Sequence, residues 1–134
     1  MKITAFIGTL ACCTGFCTVP SAALAGDVPQ LSTGYRFAQV DGKALYVASC
    51  QGCHMAQGQG ASGAGMYPKL TDNPKLQSQE YIAYRVANGY RAMPPFAGMM
   101  SDEQIAAVVA YVRQEFAHAE GPALTAEDVR KMRE

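Results

Sequence analysis

Residues from Ile3 to Val19 are mostly apolar, with Thr and Gly among them, whereas residues 26–40 mix Gly, Pro, Ser and charge with no sustained period. Beyond residue 40 the apolar positions fall into helical spacing. Asp41 as a cap, followed by Ala44, Leu45 and Ala48, predicts a first helix over residues 41–50. Ser78, with Ile82 and Val86 one turn apart behind it, predicts a second over residues 78–88, stopped by Gly89. The clearest pattern is Ile105, Val108, Val109, Val112 and Phe116, one face of a third helix. It opens on the capping box Ser101-Asp102-Glu103-Gln104 and should end near His118, before Gly121-Pro122. Thr125 and Asp128 form a second capping box and predict a short last helix. Between helices, Gly58, Gly60, Gly63 and Gly65 mark residues 55–68 as loop, and Pro94-Pro95 excludes a helix at Met93 within residues 89–100. No repeat and no strand is predicted, so the fold class is all-α.

The apolar start reads as an export signal. Lys2 supplies the positive end, Pro20 breaks the run, and Ala23-Leu24-Ala25 is a small-residue cleavage site, placing the cut between Ala25 and Gly26. A bilayer span needs about 20 apolar residues, so a retained anchor is the poorer reading. Lipid attachment at Cys12, Cys13 or Cys17 lacks a cleavage context just before those residues.

Cleavage leaves Cys50 and Cys53 as the cysteines of the mature chain. It also leaves ten basic and eleven acidic side chains, a formal charge near −1. That balance gives no basic field for nucleic acid. The mature chain has no Trp, and a domain this small has a limited core, which a large apolar cofactor would complete. The expected organisation is a signal peptide (1–25), an N-terminal arm (26–40), a folded domain (41–118) and a C-terminal extension (119–134).

The central motif is Cys50-Gln51-Gly52-Cys53-His54, the C-x-x-C-H pattern of covalent haem attachment. Two thiols with two residues between them reach one edge of a single porphyrin and add across its vinyl groups. The next residue then places an imidazole beneath the iron, which makes His54 the proximal ligand. A thioredoxin-type disulfide would want a βαβ setting. A structural zinc site needs four ligands, and His118 is the other strong candidate donor.

A methionine on the opposite side of the haem would raise its potential and suit electron transfer. Met55 adjoins His54 and cannot reach across. Met66 lies in the Gly-rich loop, Met99 and Met100 precede the third helix, and Met132 is in the tail. Met93 sits in a loop stiffened by Pro94 and Pro95, with Met99 the second candidate. For any one of them the plain alternative is a gap-filling apolar side chain.

Taken together, the chain resembles the class I cytochromes c over residues 41–117. The resemblance rests on Gly42 to Tyr46 leading into Cys50-x-x-Cys53-His54, on Tyr67-Pro68-Lys69-Leu70, on Met93-Pro94-Pro95-Phe96, and on the helix containing Ala110-Tyr111-Val112. It implies the class I cytochrome c fold, three main helices plus short helices and loops around one covalent haem c. It implies His54 and Met93 as axial ligands, with the Pro68 carbonyl accepting from the His54 Nδ1 hydrogen. Leu70 should pack against the haem, and Gly42 and Tyr46 should meet the last helix near Val108 and Tyr111. Tyr90 and Arg91 are candidates for the haem propionates or else a solvated loop. His118 is expected exposed at a helix C-terminus.

More narrowly, Cys-Gln-Gly-Cys-His-Met, the Gly-rich loop, Asn73-Pro74-Lys75-Leu76 and Met-Pro-Pro-Phe are similar to small cytochrome subunits of periplasmic dehydrogenases. Such subunits take electrons from flavin, quinone or molybdenum sites acting on alcohols, aldehydes or sugars. The implied function is periplasmic single-electron transfer rather than catalysis. The donor would be a dehydrogenase and the acceptor a cytochrome or oxidase, with no nucleic acid partner and no membrane span after cleavage. The competing reading is a haem catalyst or sensor with a displaceable Met93. Gln51, Gly52, Met55, Ala56 and residues 94–100 are uncharged, so docking should depend weakly on salt.

Overall fold

The computed structural model describes residues 36–63 and 65–133. The expected signal peptide, and the arm as far as residue 35, lie outside the described residues.

Helix α1, Gly42–Ser49, starts where the Asp41 carboxylate accepts the Ala44 N–H at 2.9 Å, satisfying a donor that the first turn would leave orphaned. It buries Gly42, Leu45 and Tyr46. Cys50 stays in right-handed conformation, so the chain passes almost directly into the single turn α2, Gln51–His54. A 3₁₀ turn, Pro74–Gln77, then leads to α3, Gln79–Asn88, where the Ser78 hydroxyl caps the Tyr81 N–H at 3.1 Å. The longest helix is α4, Asp102–Ala117, and both bonds of the Ser101/Gln104 capping box are formed. Ile105, Ala106, Val108, Val109, Val112 and Phe116 are its buried face. It stops at His118, which is exposed and left-handed (φ 49°).

The α1–α4 crossing is the centre of the fold. A Cβ at Gly42 would collide with the Ala107 carbonyl and lie 2.9 Å from the Tyr111 Cβ, so only glycine allows this approach. Beside it Tyr46 packs on Tyr111 and Phe116, with ring centroids 5.5 and 5.0 Å away. Gly42 and Tyr46 thus meet the helix through Ala107, Tyr111 and Phe116.

Two features depart from the sequence reading. Ala61–Ser62 (β1) and Met66–Tyr67 (β2) form a two-residue antiparallel ladder, in which Ala61 faces Tyr67 and Ser62 faces Met66. Strands this short leave no alternating pattern to read, and the surrounding glycines let the chain reverse. The segment set apart as a C-terminal extension is also part of the core. Its helix α5, Ala126–Lys131, carries the expected Thr125/Asp128 capping box and buries Val129 against α4, with Leu124 and Met132 partly buried around it. Among the described residues no helix is long and apolar enough to cross a membrane.

Candidate functional site

At the end of α1 the backbone turns tightly, with the N–H groups of Cys53 and His54 both donating to the Cys50 carbonyl, at 3.1 and 2.9 Å. No disulfide joins the two cysteines, and Cys50 is buried while Cys53 is exposed. Burial pushes the Cys50 thiol above its ordinary range, and nearby Cys53 adds to this while the Ser49 hydroxyl works against it.

His54 is buried, 9% exposed, and its Nδ1 lies 3.0 Å from the Pro68 carbonyl oxygen. A carbonyl only accepts, so Nδ1 carries the hydrogen. In the neutral ring this leaves the lone pair on Nε2, the state a metal-ligating imidazole needs.

The loop that carries Pro68 is folded back onto His54 by short-range contacts. Gly58 N–H donates to Met55 O at 3.1 Å, Gly60 N–H to His54 O at 3.1 Å, and Leu70 N–H to Gly58 O at 2.7 Å. Gly60 adopts φ 66° with its Cα against the Tyr67–Lys69 backbone; a Cβ there would lie 2.8 Å from the Lys69 nitrogen and 2.9 Å from the Pro68 carbonyl carbon. Only glycine tolerates both the angle and the approach. The Tyr46 hydroxyl donates to Met55 O at 2.7 Å, tying the loop to α1. Leu70 is buried.

The Met93 loop leaves α3 at Gly89 (φ 71°), where a Cβ would stand 2.5 Å from the Met93 carbonyl oxygen. Tyr90 and Met93 exchange two backbone hydrogen bonds of 3.0 Å. The Phe96 and Ala97 N–H groups then donate to Val86 and Ala87 of α3, at 3.0 and 3.2 Å. Met93 and Met99 are both half-buried against the core. Met100 is 1% exposed and is a packing residue, and Met66 is 84% exposed in the Gly-rich loop.

Tyr90 and Arg91 are exposed, with the Arg91 guanidinium 5.2 Å from the Tyr90 ring centroid. Sequence reasoning passed over Arg85, whose guanidinium lies 4.2 Å from the Tyr90 ring and 5.2 Å from that of Tyr81. The spacing of Tyr81 and Arg85 one turn apart on α3 was the available signal.

Two thiols one helical turn apart and a following imidazole with its Nε2 lone pair available suit a covalently held haem. They suit the alternatives poorly. Among the described residues no group of three or more His, Cys, Asp or Glu side chains is placed to hold a metal ion. The βαβ setting of a thioredoxin-type disulfide is also missing among them.

The chain is similar to known cytochromes. Residues 38–112 match the family described as cytochrome c oxidase, cbb3-type, subunit III. Cytochrome c6 of Thermostichus vulcanus is 31% identical over 103 residues, covering 76% of this chain and 82% of that protein. Cytochrome c6 of Leptolyngbya boryana is 41% identical over 73 residues, covering 53% of this chain and 85% of that one. The solved cytochrome c6 of the diatom Phaeodactylum tricornutum is 32% identical, covers 57% of this chain and 92% of its own, and superposes with a TM-score of 0.49.

Fold, site and these likenesses together define a small c-type cytochrome with one covalent haem c that serves electron transfer. The chain belongs to the family of the cbb3-type subunit III cytochrome domain, within the class I mono-haem cytochromes c.

Proposed function

We propose that this cytochrome is exported to the periplasm and accepts electrons from a dehydrogenase, with Cys50 and Cys53 holding the haem and with His54 and Met93 as its axial ligands. The observation that carries the His54 assignment is its 3.0 Å contact from Nδ1 to the Pro68 carbonyl oxygen, and Met93 rests on the Met-Pro-Pro-Phe resemblance. When bound, the haem supplies a one-electron ferric–ferrous couple.

The chain's own residues keep the surroundings of that couple constant. The Pro68 carbonyl holds the imidazole ring in one orientation and makes Nε2 a better donor. Pro94 and Pro95 limit the freedom of the Met93 sulfur. Thioethers from Cys50 and Cys53 would keep the cofactor attached in both oxidation states. Little of the protein has to rearrange when charge changes, which suits rapid transfer.

The dehydrogenase assignment is supported by the loop residues given above. Gly52, Cys53 and Ala56 beside the attachment motif and Pro94, Pro95 and Gly98 in the Met93 loop are exposed and uncharged. A docking face of this kind works by apolar contact, so reduction by the donor should change little between low and physiological salt. A steep salt dependence would remove that reading of the face.

The haem assignment is tested by mass spectrometry and absorption of the exported product. The expected result is a chain beginning at Gly26 with one porphyrin added, and a low-spin ferrous form that ignores carbon monoxide. A bare polypeptide would end the proposal, and rapid gas binding would favour the catalyst or sensor reading.

A further inference from the structure

The side chain of Arg133 reaches from the end of α5 into the loop that follows Met93. Its Nη1 donates to the Ala97 carbonyl at 2.6 Å and its Nη2 to the Met100 carbonyl at 2.9 Å. Its Nε faces Asp102 Oδ1 at 2.6 Å, with both side chains 24% exposed. Those two atoms are shielded from water and face each other as an ion pair without a hydrogen bond. Three groups from two elements are thus gathered by one planar guanidinium, a geometry available to arginine and not to lysine.

Arg133 is itself delivered firmly. Val129 is 1% exposed in the core, and the Arg133 N–H donates to Arg130 O at 3.1 Å. The other end of the chain grips the same loop. Phe37 N–H donates to Met99 O at 3.2 Å, its ring lies 6.1 Å from that of Phe96, and the Gln104 amide holds the Phe37 and Gln39 carbonyls at 2.9 and 2.6 Å. Phe37 and Arg133 both lie outside the stretch matched by the family, residues 38–112.

We propose that Arg133 is a positioning residue that clamps the Met93 loop shut, so that the C-terminal segment governs how often the sulfur leaves the haem. The consequence for the sulfur rests on Met93 being the axial ligand. The mechanics follow from the chain. Pro94 and Pro95 transmit displacement of Phe96 directly to Met93. Without the guanidinium, the Ala97 and Met100 carbonyls lose their charged partner, and the loop opens more often. Asp102 keeps the stabilising field of the α4 N-terminus, so the damage stays in the loop.

The test compares the holoproteins of the wild type, Arg133→Ala, Arg133→Lys and Met93→Ala. Hydrogen exchange of loop amides and carbon monoxide binding to the ferrous form are both measured. Arg133→Ala should speed exchange at Phe96, Ala97, Met99 and Met100 by at least about tenfold, with the interior of α4 unchanged. It should raise the gas-binding rate by a comparable factor, and Arg133→Lys should recover little of either. Unchanged loop exchange in Arg133→Ala, or faster exchange with gas binding raised only in Met93→Ala, would overturn the proposal. Faster loop exchange beside a Met93→Ala protein that binds the gas no faster would overturn the ligand reading and leave the clamp standing.

Discussion

The two sides of the proposed haem site are built differently. On the His54 side the hydrogen bonds that place the imidazole come from nearby chain: the Cys50 carbonyl, the Gly58 and Gly60 turns, and Pro68, which is 14 residues away; the same loop also rests on Phe116 of α4 through Gly58 and the Asp72 N–H. On the Met93 side the loop begins locally, on Val86 and Ala87, but is completed by the chain ends. Arg133 bonds Ala97 and Met100 across 36 and 33 residues, and Phe37, in the segment before α1, bonds Met99. Short loops close at little entropic cost and form without the rest of the fold. Contacts between chain ends exist only once α4 and α5 have docked. The His54 side should therefore be the rigid half, and the Met93 side the half that opens first.

The largest effects should come from removing the two ligands. Met93→Ala should leave a folded holoprotein whose ferrous form binds carbon monoxide. Its potential should fall by on the order of a few hundred mV, within the roughly 0.8 V range that axial ligands command. His54→Ala should yield no stable low-spin holoprotein in the absorption spectrum. If His54→Ala were the milder of the two, the comparison would be reversed.

Next come two glycines of the site loops, Gly60 and Gly89, which let backbone approach backbone. Gly60→Ala and Gly89→Ala each place a Cβ against backbone at positive φ, and each should cost about 2–4 kcal/mol in denaturant unfolding. Their site effects should differ. Gly89→Ala pushes on the Met93 carbonyl and should open the site to carbon monoxide, whereas Gly60→Ala disturbs Pro68 and should shift the potential with the gas still excluded. Identical phenotypes would erase the distinction between the halves.

The smallest effect is acid loosening of α5. The Asp128 carboxyl is held below its ordinary range by the Thr125 hydroxyl and backbone N–H. A carboxylate lowered on folding contributes stability above its unfolded value, about 3.9 for Asp, and that contribution is lost as pH falls through the folded value. NMR shifts at Val129 and Ala97 should therefore move together below about pH 4. Movement at Val129 without Ala97 would show that α5 does not act on the Met93 loop.

How much of this was legible depends on distance along the chain. The helices were readable because caps and apolar faces are local: Asp41, Ser78, Ser101 with Gln104, and Thr125 with Asp128 all cap where the spacing placed them. The β1–β2 ladder was not, because two-residue strands carry no periodicity. Nor was the stack of Arg85 on Tyr90, which depends on how the chain turns after Gly89.

By itself the sequence determined which groups meet at the proposed attachment site, since two thiols and an imidazole within five consecutive residues need no folding to be neighbours. Only tertiary structure decided that residues set apart as an extension would bury Val129 and bring Arg133 to the Ala97 and Met100 carbonyls. The physical reason is that a guanidinium at the end of the chain can find those carbonyls only after α5 packs on α4, and no pattern along the chain encodes that meeting.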